Sequence, residues 1–104
     1  MNSVAFPTVE TIDGLASTSV TVRNGQVWSI YNITIECNSS APGIAKVYIN
    51  DQLVMISYSA YLDTASGTPI TGLGSGTIIK IDFEGLDQTT VTCNASMLIE
   101  RQIL

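Results

Sequence analysis

The chain contains no histidine among its 104 residues, and this absence removes whole classes of function. Without imidazole, Ser-His-Asp and Cys-His nucleophilic sites cannot form, and the commonest transition-metal ligand is missing. Charged side chains are also scarce, at 12% of the residues, against about 25% in ordinary soluble domains. We therefore expect a protein that is not an enzyme, with no catalytic residues, no cofactor and no metal site.

Basic side chains are few and scattered along the chain. There are only four of them, Arg23, Lys46, Lys80 and Arg101, and the net charge is −5. Phosphate binding needs clustered positive charge, so neither nucleic acid nor an anionic membrane surface is an expected partner. No window approaches the roughly 18 apolar residues of a membrane-spanning helix, and residues 1–10 have no features of a secretion signal.

Cysteine is rare as well, with only Cys37 and Cys93 present. Both fall on the inward phase of predicted strands, and no nearby positive charge is evident that would lower a thiol pKa. We expect two buried, reduced thiols that pack as small hydrophobic groups, and the strand phases allow them to lie on facing sheets. The sequence itself neither requires nor excludes a disulfide between them.

What the chain does have is a series of short runs rich in β-branched and aromatic residues. The longest, QVWSIYNITIEC at residues 26–37, predicts a central strand. Asn24-Gly25 precedes it and follows a shorter run at residues 15–23. This dipeptide is typical of a type I′ turn, so the two runs are predicted to pair as a hairpin.

The hairpin fixes a register and therefore the face of each side chain. Val22 then lies opposite Val27, and an apolar face forms that also includes Ile33. Strict alternation places Trp28 and Ile30 on the other face, outside the core. Both residues are therefore predicted to contact a partner.

A second hairpin is predicted from residues 44–50 and 52–61, with its turn at Asn50-Asp51. The expected register opposes Val47 with Val54 and Ala45 with Ile56. Two further strands, at residues 76–84 and 89–101, alternate apolar and polar residues with a clear period of two. Their inward positions are Ile79, Ile81 and Phe83 in the first, and Val91, Cys93, Ala95, Met97 and Ile99 in the second.

The remaining stretches lack such periodicity. In residues 62–75, Gly67, Pro69, Gly72 and Gly74 interrupt any regular period. This pattern predicts a long loop of the kind that often carries function. Residues 1–14 predict an N-terminal arm or edge strand.

These patterns together predict an all-β chain. No stretch has a helical period, and strands at short spacing with turn residues between them favour a single antiparallel β-sandwich of jelly-roll or immunoglobulin-like type. We expect six to eight strands, with the sandwich domain at residues 15–104 following the arm at residues 1–14.

Two sets of side chains, one acidic and one aromatic, are candidate binding sites. Asp82, Glu84 and Asp87 lie near one strand end and could supply oxygen ligands to Ca²⁺, although surface charge that discourages strand aggregation is the favoured interpretation. Aromatic side chains could stack on sugars, but scattered ones are more often core or interface anchors. The aromatic candidates are Trp28, Tyr31, Tyr48, Tyr58 and Tyr61.

Four stretches within residues 25–102 resemble the small β-sandwich virion proteins of tailed bacteriophages. They are GQVWSIYNITIEC, KVYINDQLV, GLGSGTIIKIDFEG and TTVTCNASMLIERQ. The family pattern usually has a glycine where this chain has Asn50-Asp51-Gln52. The resemblance implies a structural protein of the virion, made in the host cytoplasm. Its expected role is capsid decoration or cement, or a head–tail or collar component.

Low charge also favours assembly, since a monomer seldom exposes a large apolar patch. We expect a homo-oligomer that also contacts other virion proteins through apolar residues the core does not use. The interface candidates are Val4, Phe6, Trp28, Ile30, Ile78, Ile103 and Leu104. The alternative hypothesis is a glycan- or receptor-binding β-sandwich module of a tail or cell-surface assembly.

Overall fold

The structure, a computed structural model, describes residues 1–38, 43–58, 62–85 and 90–104, and only the backbone within 62–68. The described residues form nine strands and no helix, and thus no helix of a length and hydropathy to cross a membrane. The strands are β1 Asn2–Ala5, β2 Val9–Glu10, β3 Leu15–Thr21, β4 Gln26–Cys37, β5 Ile44–Ile49, β6 Gln52–Ser57, β7 Leu62–Leu73, β8 Ile78–Glu84 and β9 Thr92–Ile103.

The strands form two antiparallel sheets that pack face to face. The first sheet has the order β1-β9-β4-β7, with β2 also pairing with β9, and the second has the order β3-β8-β5-β6. The prediction of an all-β antiparallel sandwich is therefore confirmed. Strand β4 is central in the first sheet, as its run of β-branched and aromatic residues predicted.

The connections identify the sandwich as a jelly roll. Among the described strands, β5 and β6 are the only sequence neighbours that pair with each other, and β1 and β2 both lie along β9. Every other connection passes from one sheet to the opposite one. An immunoglobulin sandwich has several hairpins within its sheets, whereas the two four-strand orders β1-β9-β4-β7 and β3-β8-β5-β6 are those of a jelly roll.

The crossing between sheets explains why the predicted hairpin at Asn24-Gly25 is wrong. The N–H of Gln26 donates to the carbonyl of Arg23 at 3.2 Å, and Gly25 has a φ of 78°. A positive φ at the third residue only is typical of a type II turn, whose twist splays the flanking chains. Strand β3 pairs with β8 instead, and β4 pairs with β7 and β9.

The hairpin between β5 and β6 is confirmed, but its predicted register holds only at the turn. Asn50 and Asp51 have φ values of 48° and 66°, as a type I′ turn requires. A register shift then follows at Val54. The pairs beyond it are Val47 with Met55 and Ala45 with Ser57, one residue away from the prediction.

The predicted loop at residues 62–75 is mostly strand. Strand β7 occupies Leu62–Leu73 and pairs with β4, with register shifts on either side of Ile30. Its glycines and proline disturb the pairing without ending the strand. Residues 1–14 contribute β1 and β2 along the outer edge of β9.

A β-bulge at Tyr31 decides which side chains of β4 enter the core. On β9, Ile99 lies opposite Ile30 and Leu98 lies opposite Asn32, so Tyr31 is an extra residue without a partner. A bulge shifts the alternation of a strand by one residue. Trp28 and Ile30 therefore face inward and are 2% and 3% exposed, and their predicted position outside the core is wrong.

The core lies between the two sheets and contains the inward positions predicted for β8 and β9. Thr18 links the layers, because its hydroxyl donates to the carbonyl of Pro7 at 2.7 Å. The largest fully buried side chains are Trp28, Phe83, Ile33, Ile35, Ile79, Ile81, Met97, Ile99, Val22, Val47 and Val91.

Candidate functional site

Three of the predicted interface residues belong to the core instead. Trp28 and Ile30 are enclosed as described above, and the indole N–H of Trp28 donates to Gln26 Oε1 at 2.9 Å. Phe6 is 4% exposed, and its backbone N–H donates to the carbonyl of Ala95 at 2.9 Å. These side chains stabilise the sandwich and offer no surface to a partner, which corrects their predicted role.

The other predicted interface residues are more accessible. Val4 is half-buried at the edge of the first sheet, whereas Ile78, Ile103 and Leu104 are 47%, 75% and 81% exposed. The last three lie at the same end of the sandwich, since Ile103 pairs with Gln26 and Ile78 with Thr21 on either side of the turn that joins β3 to β4.

The aromatic candidates do not form one platform. Trp28 is in the core, while Tyr31 and Tyr48 lie on the outer faces of opposite sheets. Tyr58 is exposed just beyond β6, and Tyr61 lies outside the described residues. A sugar site built on several stacked tyrosines is therefore not formed by the described residues.

The outer face of β5 and β8 carries two ion pairs. Lys46 pairs with Glu84 at 3.1 Å, and this hydrogen bond, together with the charge of Glu84, raises the pKa of Lys46. Lys80 pairs with Asp82 at 3.8 Å and lies 4.8 Å from the ring centre of Tyr48. Each of these charged groups already has a partner on the same face.

These contacts also bear on the calcium hypothesis. The carboxylate of Asp82 accepts a hydrogen bond from Ser17 at 2.8 Å in addition to its ion pair. An open depression of about 350 Å³ lies beside it, lined by Leu15, Ala16, Ser17, Asp82, Phe83 and Glu84. The described residues contain no group of three or more acidic or cysteine side chains suited to a metal, and Asp87 lies outside them.

A different kind of surface lies on the outer face of the first sheet, across its two central strands. Thr34 of β4 lies opposite Ser96 of β9. Asn94 precedes Ser96 by two residues on β9 and therefore faces the same side of the sheet. Thr8, between β1 and β2, closes the edge, since its hydroxyl donates to Asn94 Oδ1 at 2.6 Å. We call these residues, with Asn32, the β4–β9 face.

The β4–β9 face contains an open depression of about 260 Å³. Its lining consists of Ala5, Phe6, Thr8, Thr34, Asn94, Ala95 and Ser96. Phe6 and Ala95 are buried, whereas Thr8, Thr34, Asn94 and Ser96 are more accessible and give the depression a polar rim. No hydrogen bond joins the hydroxyls of Thr34 and Ser96 to other described residues.

Tyr31 lies at the far end of this face because of the bulge. Its hydroxyl donates to the carboxylate of Glu100 at 3.0 Å. This hydrogen bond and the negative charge of Glu100 raise the pKa of Tyr31. Bulges often redirect a side chain in this way. The ring of Tyr31 and the carboxylate of Glu100 therefore add one aromatic and one acidic group at the far end of the β4–β9 face.

The sequence patterns did not single out the β4–β9 face. Thr34, Asn94 and Ser96 occupy the polar phase of predicted strands, which ordinarily indicates only a solvated surface. What distinguishes them is that β4 and β9 pair side by side. That pairing joins residues about 60 positions apart, and no local motif indicates it.

Comparison with known proteins gives a likeness of fold. No protein-family model matches the chain, and no curated protein matches it. A solved structure described as "CBM4 structure and function", a carbohydrate-binding module, aligns with 96% of this chain and 94% of its own. The TM-score is 0.53 and the sequence identity is 12%. At this identity the comparison shows a shared β-sandwich fold.

Proposed function

We propose that the protein is a carbohydrate-binding module without catalytic activity, and that it binds sugar at the β4–β9 face. The observation that carries this proposal is the depression of about 260 Å³ with the hydroxyls of Thr34 and Ser96 at its rim. Ligand sites in proteins are typically concave, with an apolar lining and a few placed polar groups. The likeness of fold to a carbohydrate-binding module supports the proposal.

The chemistry of the rim matches an uncharged sugar. The hydroxyls of Thr34 and Ser96 both donate and accept hydrogen bonds, as sugar hydroxyls do. The Oδ1 atom of Asn94 accepts from Thr8, which leaves the amide NH₂ group of Asn94 to donate. Because the chain carries a net charge of −5, an acidic polysaccharide is disfavoured over a neutral one.

The size of the depression sets the expected affinity. At about 260 Å³ it is smaller than the roughly 300–1,000 Å³ of drug-sized ligand pockets. It accommodates a single sugar ring or the end of a chain. Few contacts then offset the entropy lost on binding, so we expect dissociation constants on the order of 10 μM to 1 mM.

The test is binding to a panel of neutral polysaccharides, measured by affinity electrophoresis and by calorimetry with soluble oligosaccharides. The double variant Thr34→Ala/Ser96→Ala removes these two hydroxyls from the β4–β9 face. We expect it to bind about tenfold more weakly or worse, since each lost hydrogen bond costs about 0.5–1.5 kcal/mol.

A matched control variant exists on the opposite sheet. Ser19 and Thr21 are exposed on β3, so Ser19→Ala/Thr21→Ala removes the same two kinds of hydroxyl far from the proposed site. This control is expected to bind as well as the parent protein. Equal binding by both double variants, or binding to none of the polysaccharides, overturns the proposal.

A second candidate function is that of a structural protein of a tailed-phage virion, assembling as a homo-oligomer with other virion proteins. It is favoured by the exposed apolar side chains Ile78, Ile103 and Leu104 at one end of the sandwich. Edge strand β6 adds Leu53, Val54 and Ile56, each about 40% exposed. Apolar residues of this kind are typical of the centre of protein interfaces.

Light scattering at micromolar concentration tests this second candidate. We expect a mass of two or more chains that falls toward the monomer in Ile103→Ser/Leu104→Ser. The control is Ile12→Ser, because Ile12 is equally exposed but lies beyond β2, at the opposite end. A parent protein that is already monomeric contradicts the assembly role.

A further inference from the structure

Cys37 and Cys93 are direct neighbours across two strands of one sheet, so they do not lie on facing sheets. Cys37 ends β4 and lies opposite Cys93 near the start of β9. The thiol of Cys37 donates to Cys93 Sγ at 2.9 Å, and both side chains are buried, as predicted.

The next pair along the strands fixes the geometry of the thiols. The N–H of Asn38 donates to the carbonyl of Thr92 at 3.0 Å, and the N–H of Thr92 donates to Asn38 Oδ1 at 2.7 Å. Hydrogen-bonded and non-hydrogen-bonded pairs alternate along antiparallel strands. Cys37 and Cys93 therefore occupy a non-hydrogen-bonded pair, in which side chains approach most closely.

This position suits a disulfide. The Cα atoms of a non-hydrogen-bonded pair are typically about 4.5 Å apart, and a disulfide requires a Cα separation of about 4.4–6.8 Å. The two sulfur atoms need to approach by less than about 1 Å to reach bonding distance, which is about 2.05 Å. Rotation of the side chains supplies that movement without a shift of either strand.

We propose that Cys37 and Cys93 form a disulfide site that closes when the chain folds in the presence of a small disulfide oxidant such as oxidised glutathione. The thiolate of one cysteine attacks the oxidant, forming a mixed disulfide and releasing one glutathione. The other cysteine then attacks the protein sulfur of that mixed disulfide and releases the second glutathione. The protein loses two protons and two electrons, and oxidised glutathione is reduced to two thiols.

The hydrogen bond between the cysteines makes the two thiols unequal in the folded protein. It raises the pKa of Cys37, with burial adding to the effect, and it lowers the pKa of Cys93. Because both thiols are buried in the folded protein, exchange is fastest before the sheets have closed over them.

The bond would join β4 to β9 and close a covalent loop, since the two cysteines are 56 residues apart in sequence. Strands β5, β6, β7 and β8 lie between them in the chain. Restricting the unfolded chain in this way favours the folded state. We expect the thermal midpoint of the oxidised protein to exceed that of the reduced protein by about 10 °C or more.

The test is to refold the unfolded, reduced protein in a mixture of reduced and oxidised glutathione, and then to measure the intact mass and the thermal midpoint. We expect a mass 2 Da below the reduced protein, no thiol available to alkylation after unfolding, and the higher midpoint. Adding a reductant to the same sample is expected to reverse all three. This comparison uses the parent chain only, so it does not depend on a variant folding.

The variants Cys37→Ser and Cys93→Ser provide the matched controls. Each keeps one thiol and cannot form the bond, so each is expected to carry a glutathione adduct or remain reduced, with no rise in midpoint. The proposal is overturned if the folded parent protein retains two alkylatable thiols or carries glutathione like the single variants. An oxidised protein no more stable than the reduced one overturns it as well.

Discussion

Ile30 and Ile33 both point into the core although three positions separate them, and a regular strand would place them on opposite faces. The bulge at Tyr31 reconciles their positions by adding one unpaired residue to β4. It brings the aromatic half of the strand, with Trp28, into the same core as the aliphatic half. The same extra residue places Tyr31 beside Glu100 on the outer face.

Deleting Tyr31 tests this role of the bulge. Without the extra residue, one half of β4 has to present its apolar side chains to solvent. Exposing Trp28 and Ile30 alone costs several kcal/mol, against a total stability of about 5–15 kcal/mol for a domain. We expect the deletion variant to be largely unfolded by circular dichroism. The substitution Tyr31→Ala keeps the bulge and is expected to fold, and a deletion variant with the cooperative unfolding of the parent contradicts this account.

Truncation of Trp28 distinguishes a core residue from an interface residue. We expect Trp28→Ala to lower the free energy of unfolding by about 3–5 kcal/mol, because it leaves a large cavity between the sheets. Ile78 is exposed on the outer face, so Ile78→Ala is expected to cost less than about 1 kcal/mol. Urea titration of both variants measures the difference. Similar small losses for both would mean that Trp28 is not enclosed.

The residues that sequence patterns predicted well are those in unbroken strands. Strand β8 alternates without a bulge, and Ile79, Ile81 and Phe83 are buried as its period of two predicts. In β4 the apolar residues change phase between Ile30 and Ile33, and that change is itself the sign of a bulge. The prediction assumed strict alternation along β4 and therefore placed Trp28 on the wrong face.

The pairing of strands could not be derived in the same way. A dipeptide such as Asn24-Gly25 indicates only the dihedral angles of its own turn. It does not indicate whether the next strand joins the same sheet, and in a jelly roll most connections lead to the opposite sheet. Both Asn50 and Asp51 adopt positive φ, and that turn does form the predicted hairpin. The β4–β9 face depends entirely on long-range pairing, so sequence alone identified its residues only as polar strand positions.

The turn between β5 and β6 offers a stabilising substitution. Asp51 has a φ of 66°, a conformation that glycine adopts without the steric cost met by other residues. We expect Asp51→Gly to raise the free energy of unfolding by up to about 1 kcal/mol, since Asn-Gly is the preferred type I′ pair. Asp51→Val is expected to lower it by about 1–2 kcal/mol. Thermal unfolding of the two variants checks the sign, and a less stable Asp51→Gly protein would argue against the type I′ turn.

The contact between Tyr31 and Glu100 predicts a dependence on alkaline pH. Because the carboxylate raises the pKa of Tyr31 in the folded protein, the contact favours folding at pH values below the ordinary tyrosine value of 10.0. That contribution is lost as the pH rises through the raised pKa. Ring signals in nuclear magnetic resonance spectra, assigned with Tyr31→Phe, follow the titration. In Glu100→Gln the pKa of Tyr31 should move back toward its ordinary value, and an unchanged titration would show that the carboxylate has no influence.

The most direct test of carbohydrate binding is to map amide chemical shifts by nuclear magnetic resonance while a soluble neutral oligosaccharide, chosen from the polysaccharide panel, is added to the protein. If sugar binds at the β4–β9 face, we expect concentration-dependent shifts centred on Thr8, Thr34, Asn94 and Ser96, with the amides of β3 and β8 unchanged. Shifts centred on β5 and β8 around Tyr48, or none at millimolar sugar, would contradict it.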